Sequence, residues 1–213
     1  MSREVGPARA RARELLPDTP RELYFDVMRA AIAEHYLAER DNPYRQSGRT
    51  SGAARWAETR RCLVEAVHKS GDFMDVGCAN GLLLESLLGW ARERGFTLAP
   101  HGIDFVPELI ELARQRHPGH RDSFAVANAF EWRPARKYDF VRTNLEYVPL
   151  RDRVAFVGAQ HAAVAPGGRL VVCHYRNAGE ARGDPPGVCV AAGYAVGGVL
   201  EAPGVEVAWV DLA

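Results

Sequence analysis

A short apolar segment, Phe73–Val76, runs directly into a stretch of small residues that ends at Gly81, and this junction limits the fold more than any other part of the chain. An apolar run too short for a helix, stopped by loop-forming residues, is typical of a buried strand. Apolar residues with helical periodicity begin at Leu82. The sequence therefore predicts a strand, a tight loop and a helix, with the loop at the N-terminus of the helix.

Loops of this kind bind two classes of cofactor, and the spacing of the small residues separates the two. A dinucleotide fingerprint has small residues at its first, third and sixth positions, but the sixth position counted from Gly77 is the bulky Leu82. The first, third and fifth positions are small, namely Gly77, Ala79 and Gly81. The carboxylate of Asp75 would repel a pyrophosphate bound at the helix N-terminus. It would attract a cofactor that carries a sulfonium and an ammonium.

The sequence Asp75-x-Gly77-x-Ala79-x-Gly81 resembles the first motif of the class I S-adenosylmethionine-dependent methyltransferases, which reads acid-x-Gly-x-Gly-x-Gly. The resemblance covers residues 52–213 and points to a small, single-domain, bacterial type. It implies S-adenosyl-L-methionine as cofactor and S-adenosyl-L-homocysteine as product. It also implies an α/β, Rossmann-like, doubly wound fold with a mainly parallel seven-stranded sheet and a terminal antiparallel hairpin. The cofactor-binding residues implied in the loop are Asp75, Gly77, Cys78, Ala79, Asn80 and Gly81.

Composition is consistent with one globular domain in the cytoplasm. The chain has 213 residues, of which 47% are hydrophobic, and its formal net charge is zero, so it has no overall field to attract nucleic acid. The four cysteines form no C-x-x-C pair and are expected to be reduced. No stretch approaches the ~18 apolar residues of a membrane span, and the N-terminus has no apolar signal core.

The first 50 residues are predicted to form a tail and a helical cap or lid, and residues 51–213 the methyltransferase domain. Residues 1–17 have no apolar stripe, so a flexible or loosely docked tail is expected. A capping box at Thr19–Glu22, with Pro20 at the first helical position, predicts a helix to about Arg40. This helix either packs on the domain or forms a lid over the active site.

A polar connector, 42–48, follows that helix. It is either a plain loop or a segment that contacts the cofactor or substrate, and its candidates for such contacts are Tyr44, Gln46 and Ser47. His35, in the helix itself, is a weaker candidate for a catalytic base.

The rest of the chain alternates in the way that predicts a parallel sheet with crossover helices. Ser51 is expected to cap a helix that runs to about Lys69. The predicted strands lie near Phe73–Val76, Leu98–Ile103, Ser123–Ala127, Tyr138–Thr143, Arg169–His174, Tyr194–Leu200 and Val205–Leu212. The predicted helices lie near Leu82–Arg94, Pro107–Arg116 and Arg151–Ala165, with a short helical turn at Val188–Ala192. The third crossover is expected to contain no regular helix, and residues 177–187 to form an exposed loop.

Polar residues at the ends of the predicted strands supply the other candidates for the cofactor site. Asp104 ends the second strand, where a carboxylate can accept two hydrogen bonds from a ribose diol; alternatively it caps the helix that begins at Pro107. If Asp104 binds the ribose, Phe105 or Val106 would lie against the adenine. The resemblance implies that Asn128 and Ala129 contact the adenine, while Phe130 either stacks on the purine or fills the core.

The fourth and fifth strands supply the catalytic candidates. The resemblance implies that Asn144 and Tyr147 line the methyl pocket, and that Glu146 is either a base or an exposed acid. His174 ends the fifth strand and is either a base with a pKa near 6.5 or a structural histidine.

These observations predict methyl transfer from S-adenosylmethionine to a hydroxyl or amine of a small molecule, which we expect to be a secondary metabolite. Two alternatives stay open. One is an rRNA or tRNA methyltransferase that uses the arginine-rich N-terminal tail to contact phosphates. The other is a cofactor-binding module without transferase activity. The sequence has no cluster with metal-ligand spacing, so we expect no metal. It does not indicate an oligomeric state.

Overall fold

The computed structural model describes residues 6–48, 52–176 and 182–213. The predicted helix cap at Ser51 and residues 177–181 of the predicted 177–187 loop lie outside these residues.

The described chain forms a seven-stranded sheet in the order β3-β2-β1-β4-β5-β7-β6. Strands β1 to β5 are parallel, and β7 pairs antiparallel with both β5 and β6. The fold predicted from the sequence is thereby confirmed, including the terminal antiparallel hairpin, whose last strand lies beside the fifth. The strands are β1 (Gly71–Val76), β2 (Leu98–Asp104), β3 (Phe124–Val126), β4 (Tyr138–Asn144), β5 (Val164–Tyr175), β6 (Gly198–Ala202) and β7 (Val205–Asp211).

Helices cover both faces of the sheet. They are α1 (Pro7–Arg13), α2 (Arg21–Tyr36), α3 (Ala53–Arg60), α4 (Leu82–Glu93), α5 (Pro107–Arg116), α6 (Arg153–His161) and α7 (Pro185–Ala191). Short 3₁₀ segments lie at Arg45–Ser47, Arg61–Ala66, Pro118–Ser123 and Leu150–Asp152. As predicted, residues 127–137, the third crossover, contain no helix.

The apolar core lies in two layers, one on each face of the sheet. Trp56, Leu84 and Ile110 pack with Phe140 on the face covered by α3, α4 and α5. Phe156, from α6, packs with buried residues of the opposite face that include Val141, Leu170 and Cys189. Burial on both faces is the usual situation of a parallel sheet, and it leaves the ends of the strands as the place for polar side chains.

The N-terminal segment differs from the sequence-based prediction. Residues 7–13 are helical, and the Ala8 N–H donates to Glu34 Oε2 at 2.9 Å, so this part of the expected tail is docked on α2. The predicted capping box is wrong: Thr19 Oγ1 accepts a hydrogen bond from the Leu16 N–H instead, and α2 begins at Arg21. Helix α2 also ends at Tyr36, four residues before the predicted end at Arg40.

Three other elements begin or end at residues that differ from the predicted ones. Helix α6 ends at His161 because Val164 already pairs with Tyr138 at the start of β5. Strand β6 begins only at Gly198, since Tyr194 stacks on His161 with ring centroids 4.0 Å apart and is held against α6. The helix predicted to reach Lys69 turns into a 3₁₀ segment after Arg60. Within the part of the chain that the structure describes, no helix is both long enough and apolar enough to cross a membrane.

Candidate active site

A cavity lies at the carboxyl ends of the parallel strands, where the strand order reverses between β1 and β4. Ligands of open α/β sheets bind at such a switch point. The cavity is lined by the loop after β1 and by the ends of β2, β4 and β5. Helix α2 closes one side through Phe25, Ile32 and Tyr36.

The loop after β1 is bent so that its backbone faces the cavity. The N–H groups of Gly77 and Cys78 both donate to the Ile103 carbonyl, at 2.8 and 2.9 Å. Gly77 has φ +82° and Ala79 has φ +48°, a conformation that costs an alanine about 1–2 kcal/mol. Gly77, Cys78 and Ala79 line the cavity. The tight loop predicted from the spacing of small residues is therefore present, and Ala79 takes a left-handed conformation that a glycine would adopt more easily.

Asp104 contacts the backbone of two segments, the loop after β1 and the residues that lead into α5. Its Oδ2 accepts a hydrogen bond from the Ala79 N–H and its Oδ1 one from the Val106 N–H, both at 3.0 Å. It thus holds the loop and the start of α5 while it also lines the cavity. Burial raises the pKa of Asp104 to about 6, against the lowering effect of these backbone donors.

Aromatic rings surround the part of the cavity beyond Asp104. Phe105 and Phe130 both line it, and Phe25 of α2 packs against them with ring centroids 6.5 and 4.8 Å away. Asn128 Oδ1 accepts a hydrogen bond from the Phe130 N–H at 3.1 Å, and Ala129 lies between them in the cavity wall. An apolar slot with a few backbone polar groups at its edge suits a flat heterocycle. Nothing in the sequence had singled out Phe25.

Asn80 joins the β1 loop to the 42–48 connector and does not line the cavity. Its fully buried amide donates to the Pro43 carbonyl at 3.0 Å and to Gln46 Oε1 at 3.2 Å. Its Oδ1 accepts a hydrogen bond from Ser47 Oγ at 2.5 Å. Of the candidates in the connector, Ser47 lines the cavity, whereas Gln46 and Tyr44 are turned into the packing around Asn80 and Trp56.

Gly81 also lies outside the cavity wall. It has φ +74°, and its carbonyl is 3.0 Å from His117 Nε2. A Cβ at this position would lie 3.0 Å from the His117 ring, so the positive φ and this close neighbour both disfavour a larger residue.

Asp75 is ion-paired, which changes the electrostatic argument made from the sequence. Its Oδ1 accepts a hydrogen bond from Arg142 Nη1 at 2.8 Å, and both side chains are almost completely buried. Burial raises the pKa of Asp75, while Arg142 opposes that shift. The carboxylate is therefore neutralised from within the protein. Its Oδ2 is buried and has no hydrogen-bond partner among the described residues, and Asp75 is one of the residues that line the cavity.

Side chains that follow β4 and one side chain of α2 form a second polar cluster in the cavity wall. Tyr36 Oη and Tyr147 Oη are 3.0 Å apart, and the Asn144 side chain accepts a hydrogen bond from the Glu146 N–H at 3.2 Å. All four residues line the cavity. Burial raises the pKa of both phenols, with Glu146 adding to the shift, so both tyrosines are neutral. The sequence had indicated Asn144, Glu146 and Tyr147, but not Tyr36.

The two candidate histidines do not reach the cavity. His174 points to the opposite face of the sheet from its neighbour Tyr175, and its ring packs so closely on Gly183 that no side chain would fit there. His35 Nδ1 lies 2.9 Å from Arg45 Nη2, and burial with this guanidinium lowers the pKa of His35 to about 4. The proposed catalytic role of His174 is therefore corrected: Tyr175 and Arg176 line the cavity in its place.

Among the described residues, no group of three or more His, Cys, Asp or Glu side chains is arranged to hold a metal ion.

Comparisons with known proteins agree with this geometry. A family model described as a methyltransferase domain matches residues 48–184. A carboxy-S-adenosyl-L-methionine synthase from Chromohalobacter salexigens is 31% identical over 104 residues, which are 46% of this chain and 37% of that protein. A trans-aconitate 2-methyltransferase from Methylobacterium radiotolerans is 37% identical over 71 residues, 33% of this chain and 26% of that protein. The chain thus spans well under half the length of these relatives.

Solved structures support the fold. The N-methyltransferase NodS from Bradyrhizobium japonicum, in complex with S-adenosyl-L-homocysteine, superposes with a TM-score of 0.65 at 18% identity, over 85% of this chain and 98% of that one. A DhpI complex with the same ligand gives a TM-score of 0.60 at 23% identity, over 88% and 94%. The predicted family and fold are confirmed. Since the family model matches more than half of the chain, the protein belongs to the methyltransferase domain family.

Proposed function

We propose that this protein transfers a methyl group from S-adenosylmethionine to a hydroxyl or amine of a small molecule. One observation carries the proposal: the glycine loop, Asp104 and the Tyr36–Tyr147 pair with Glu146 all line one cavity. A cofactor site and a polar group that can orient an acceptor are thereby adjacent. When bound, S-adenosylmethionine supplies an electrophilic methyl group on its sulfonium.

The residues of the cavity fit this cofactor. Gly77 has room at its Cα, since the nearest atom to an added Cβ is Asn144 Nδ2 at 3.6 Å. The unpartnered Asp75 Oδ2 can accept from an ammonium, and the remaining lone pairs of Asp104 can accept from a ribose diol. Phe105, Asn128, Ala129 and Phe130 would enclose the adenine. We also propose that residues 1–50 act as a cap on the 51–213 domain, which is supported by the α2 residues in the cavity wall.

The residues of this chain would contribute mainly by aligning the acceptor, and general acid–base catalysis would contribute less. Displacement at a methyl carbon depends mainly on in-line geometry, which is worth several kcal/mol when the groups are held in place. The neutral hydroxyls of Tyr36 and Tyr147 can donate to or accept from an acceptor hydroxyl or amine. Glu146, which is exposed on the same rim, can take the proton that the acceptor loses.

A small-molecule acceptor is favoured over RNA by two observations. The formal net charge of the chain is zero, and the side chains of α2 close one side of the cavity. Trans-aconitate, named in one relative, is also a small molecule. The role in secondary metabolism stays a prediction from the sequence.

Calorimetric titration with S-adenosylhomocysteine and S-adenosylmethionine tests the cofactor site. We expect both ligands to bind. Asp104→Ala should lower the affinity for S-adenosylhomocysteine at least tenfold, because the ribose loses its hydrogen-bond acceptor. The exposed Asp122→Ala is the matched control and should leave the affinity unchanged. An absence of heat with both ligands would exclude the proposal.

Transfer from methyl-labelled S-adenosylmethionine then separates the alternatives. Label is expected in the small-molecule fraction of a cell extract, and less of it with Glu146→Gln. Salt-sensitive labelling of RNA would support the RNA methyltransferase instead. Binding without any labelling would support a cofactor-binding module.

A further inference from the structure

Two tyrosines hold their hydroxyl groups in the wall of the cavity. Tyr36 Oη, from α2, lies 3.0 Å from Tyr147 Oη, from the segment after β4. The hydroxyl of Tyr24, also on α2, donates to the Tyr147 carbonyl at 3.4 Å. A Cβ on Gly48 would clash with Tyr36 Oη, and Gly48 lines the same cavity. The oxygen atom of Tyr36 therefore lies between two residues of the cavity wall, Gly48 and Tyr147.

The Glu146 carboxylate gives this pair of hydroxyls a direction. It is hydrogen-bonded to Tyr147, and a carboxylate can only accept hydrogen bonds. The O–H of Tyr147 therefore points to Glu146, and its oxygen accepts the hydrogen bond that the O–H of Tyr36 donates. Among the described residues, Tyr147 is the only hydrogen-bond partner of Tyr36 Oη. A lone pair of the Tyr36 oxygen is thus left to accept a hydrogen bond from a ligand.

The charges around the two hydroxyls favour a cation. Burial raises the pKa of both phenols, and the Glu146 carboxylate adds to the shift. Asp104, at the end of β2, also raises the pKa of Tyr36, and Arg60, at the end of α3, lowers it. Two carboxylates thus act on this hydroxyl against one guanidinium. The resulting field attracts a ligand group that is positively charged and repels a carboxylate.

Among the described residues of the cavity wall, the ionised groups that can take a proton are carboxylates. None of these residues is a histidine, and Arg176 is ion-paired with Glu201 and Glu206. A carboxylate is far too weak a base for an aliphatic hydroxyl, whose pKa is close to the value of about 15.7 for water. The ammonium of a lysine has a pKa of about 10.4. The bases of this site therefore suit an amine better than an aliphatic hydroxyl.

We propose that the methyl acceptor is a primary or secondary amine, which binds as an ammonium and donates one N–H to Tyr36 Oη. The assignment rests on the proposed function, since it names the class of substrate for the same cavity. The ammonium proton moves to Tyr36 Oη while the Tyr36 proton moves to Tyr147 Oη and the Tyr147 proton to the Glu146 carboxylate. The nitrogen lone pair then forms the new C–N bond, and the electron pair of the broken C–S bond stays on sulfur. Glu146 afterwards releases the proton to water. Tyr36 contacts the acceptor, and Tyr147 is a positioning residue.

The position of the transferred methyl group tests the assignment. The protein is incubated with S-adenosylmethionine that carries a trideuterated methyl group and with the small-molecule fraction of a deproteinised cell extract, and tandem mass spectrometry locates the label in the products. We expect the label on nitrogen. Label on a carboxylate or hydroxyl oxygen would overturn the amine assignment but leave the methyltransferase function intact. An absence of label from all products would overturn both.

The pH dependence of the reaction with the amine found in this way tests the route of the proton. In the wild type the proton stays within the complex until transfer is complete, so the rate should change less than threefold per pH unit between pH 6 and 8. Tyr36→Phe keeps the ring but removes the oxygen, so only amine that is already neutral in solution can react. Its rate should be at least tenfold lower at pH 7 and should rise about tenfold per pH unit. Tyr194→Phe, which removes a hydroxyl outside the cavity wall, is the control and should keep the wild-type profile.

Calorimetry with S-adenosylhomocysteine separates a role toward the acceptor from a role toward the cofactor. We expect Tyr36→Phe to bind this ligand with the affinity of the wild type. A tenfold loss of affinity would mean that the Tyr36 hydroxyl binds the cofactor, and the acceptor assignment would then be wrong. A steep pH profile in the wild type, or a shallow one that persisted in Tyr36→Phe, would overturn the proton route through the two tyrosines.

Discussion

The ionisation of the buried Asp104 carboxyl group should change the stability of the protein with pH. Burial raises its pKa to about 6 in the folded protein, whereas an aspartate in an unfolded chain has a pKa of about 3.9. The folded state therefore binds this proton more tightly. The contribution of Asp104 to stability is present at low pH and is lost as the pH rises from about 4 to about 6.

Urea unfolding of the wild type and of Asp104→Asn between pH 4 and 7 measures this effect. We expect the free energy of unfolding of the wild type, relative to that of the variant, to fall by up to about 3 kcal/mol over this range. Asp122→Asn, at an exposed position, controls for the substitution itself. A relative stability that rose with pH, or stayed constant, would show that the pKa is not raised.

At the residue scale, site residues that follow directly after a strand could be predicted from the sequence. Contacts between side chains that are far apart along the chain could not. The β1 loop and Asp104 follow from position after a strand. The partner of Asp75 lies 67 residues away, and that of Tyr36 lies 111 away, so no local pattern could indicate them. The sequence indicates His174 and misses Tyr175 because the end of a strand can be recognised from sequence more easily than the face on which each side chain lies.

At the scale of elements, Asn80 is the main connection between the glycine loop and the 42–48 connector. It is completely buried and bonds to Pro43, Gln46 and Ser47. Asn80→Ala would leave these groups without their partner, so we expect a loss of about 1–3 kcal/mol in the free energy of unfolding. The damage should be local, because the connector has few other bonds to the sheet.

Hydrogen exchange with mass spectrometry can locate that damage. Amides of residues 42–48 should exchange faster in Asn80→Ala, while the β6–β7 hairpin, which is far along the sheet, should keep its protection. Gln115→Ala, an exposed substitution on α5, is the control. Uniformly faster exchange throughout the chain would mean that Asn80 supports the whole fold and not this connection.

At the scale of the whole molecule, several polar contacts join the N-terminal segment to residues 147–152. Arg21 Nη2 donates to Asp152 Oδ1 at 2.6 Å, and Tyr24 Oη to the Tyr147 carbonyl at 3.4 Å. Arg151 donates to the carbonyls of Pro17 and Thr19. The sequence predicts helix α2 but leaves open whether it lies over the site, because the partners of an amphipathic helix are not encoded in its periodicity. The structure brings its side chains to the cavity wall.

A cap that completes the cofactor site should influence affinity, whereas a helix that is only packed on the domain should not. Phe25 of α2 lies against Phe105 and Phe130, and aromatic pairs of this kind are worth about 0.5–1.5 kcal/mol each. We therefore expect Phe25→Ala to lower the affinity for S-adenosylhomocysteine, measured by calorimetry, about threefold to tenfold. Leu23→Ala, on the same helix but 44% exposed, removes a comparable apolar side chain and should leave the affinity unchanged. Equal affinities for both variants and the wild type would show that α2 has only a structural role and that the sheet and its loops alone bind the cofactor.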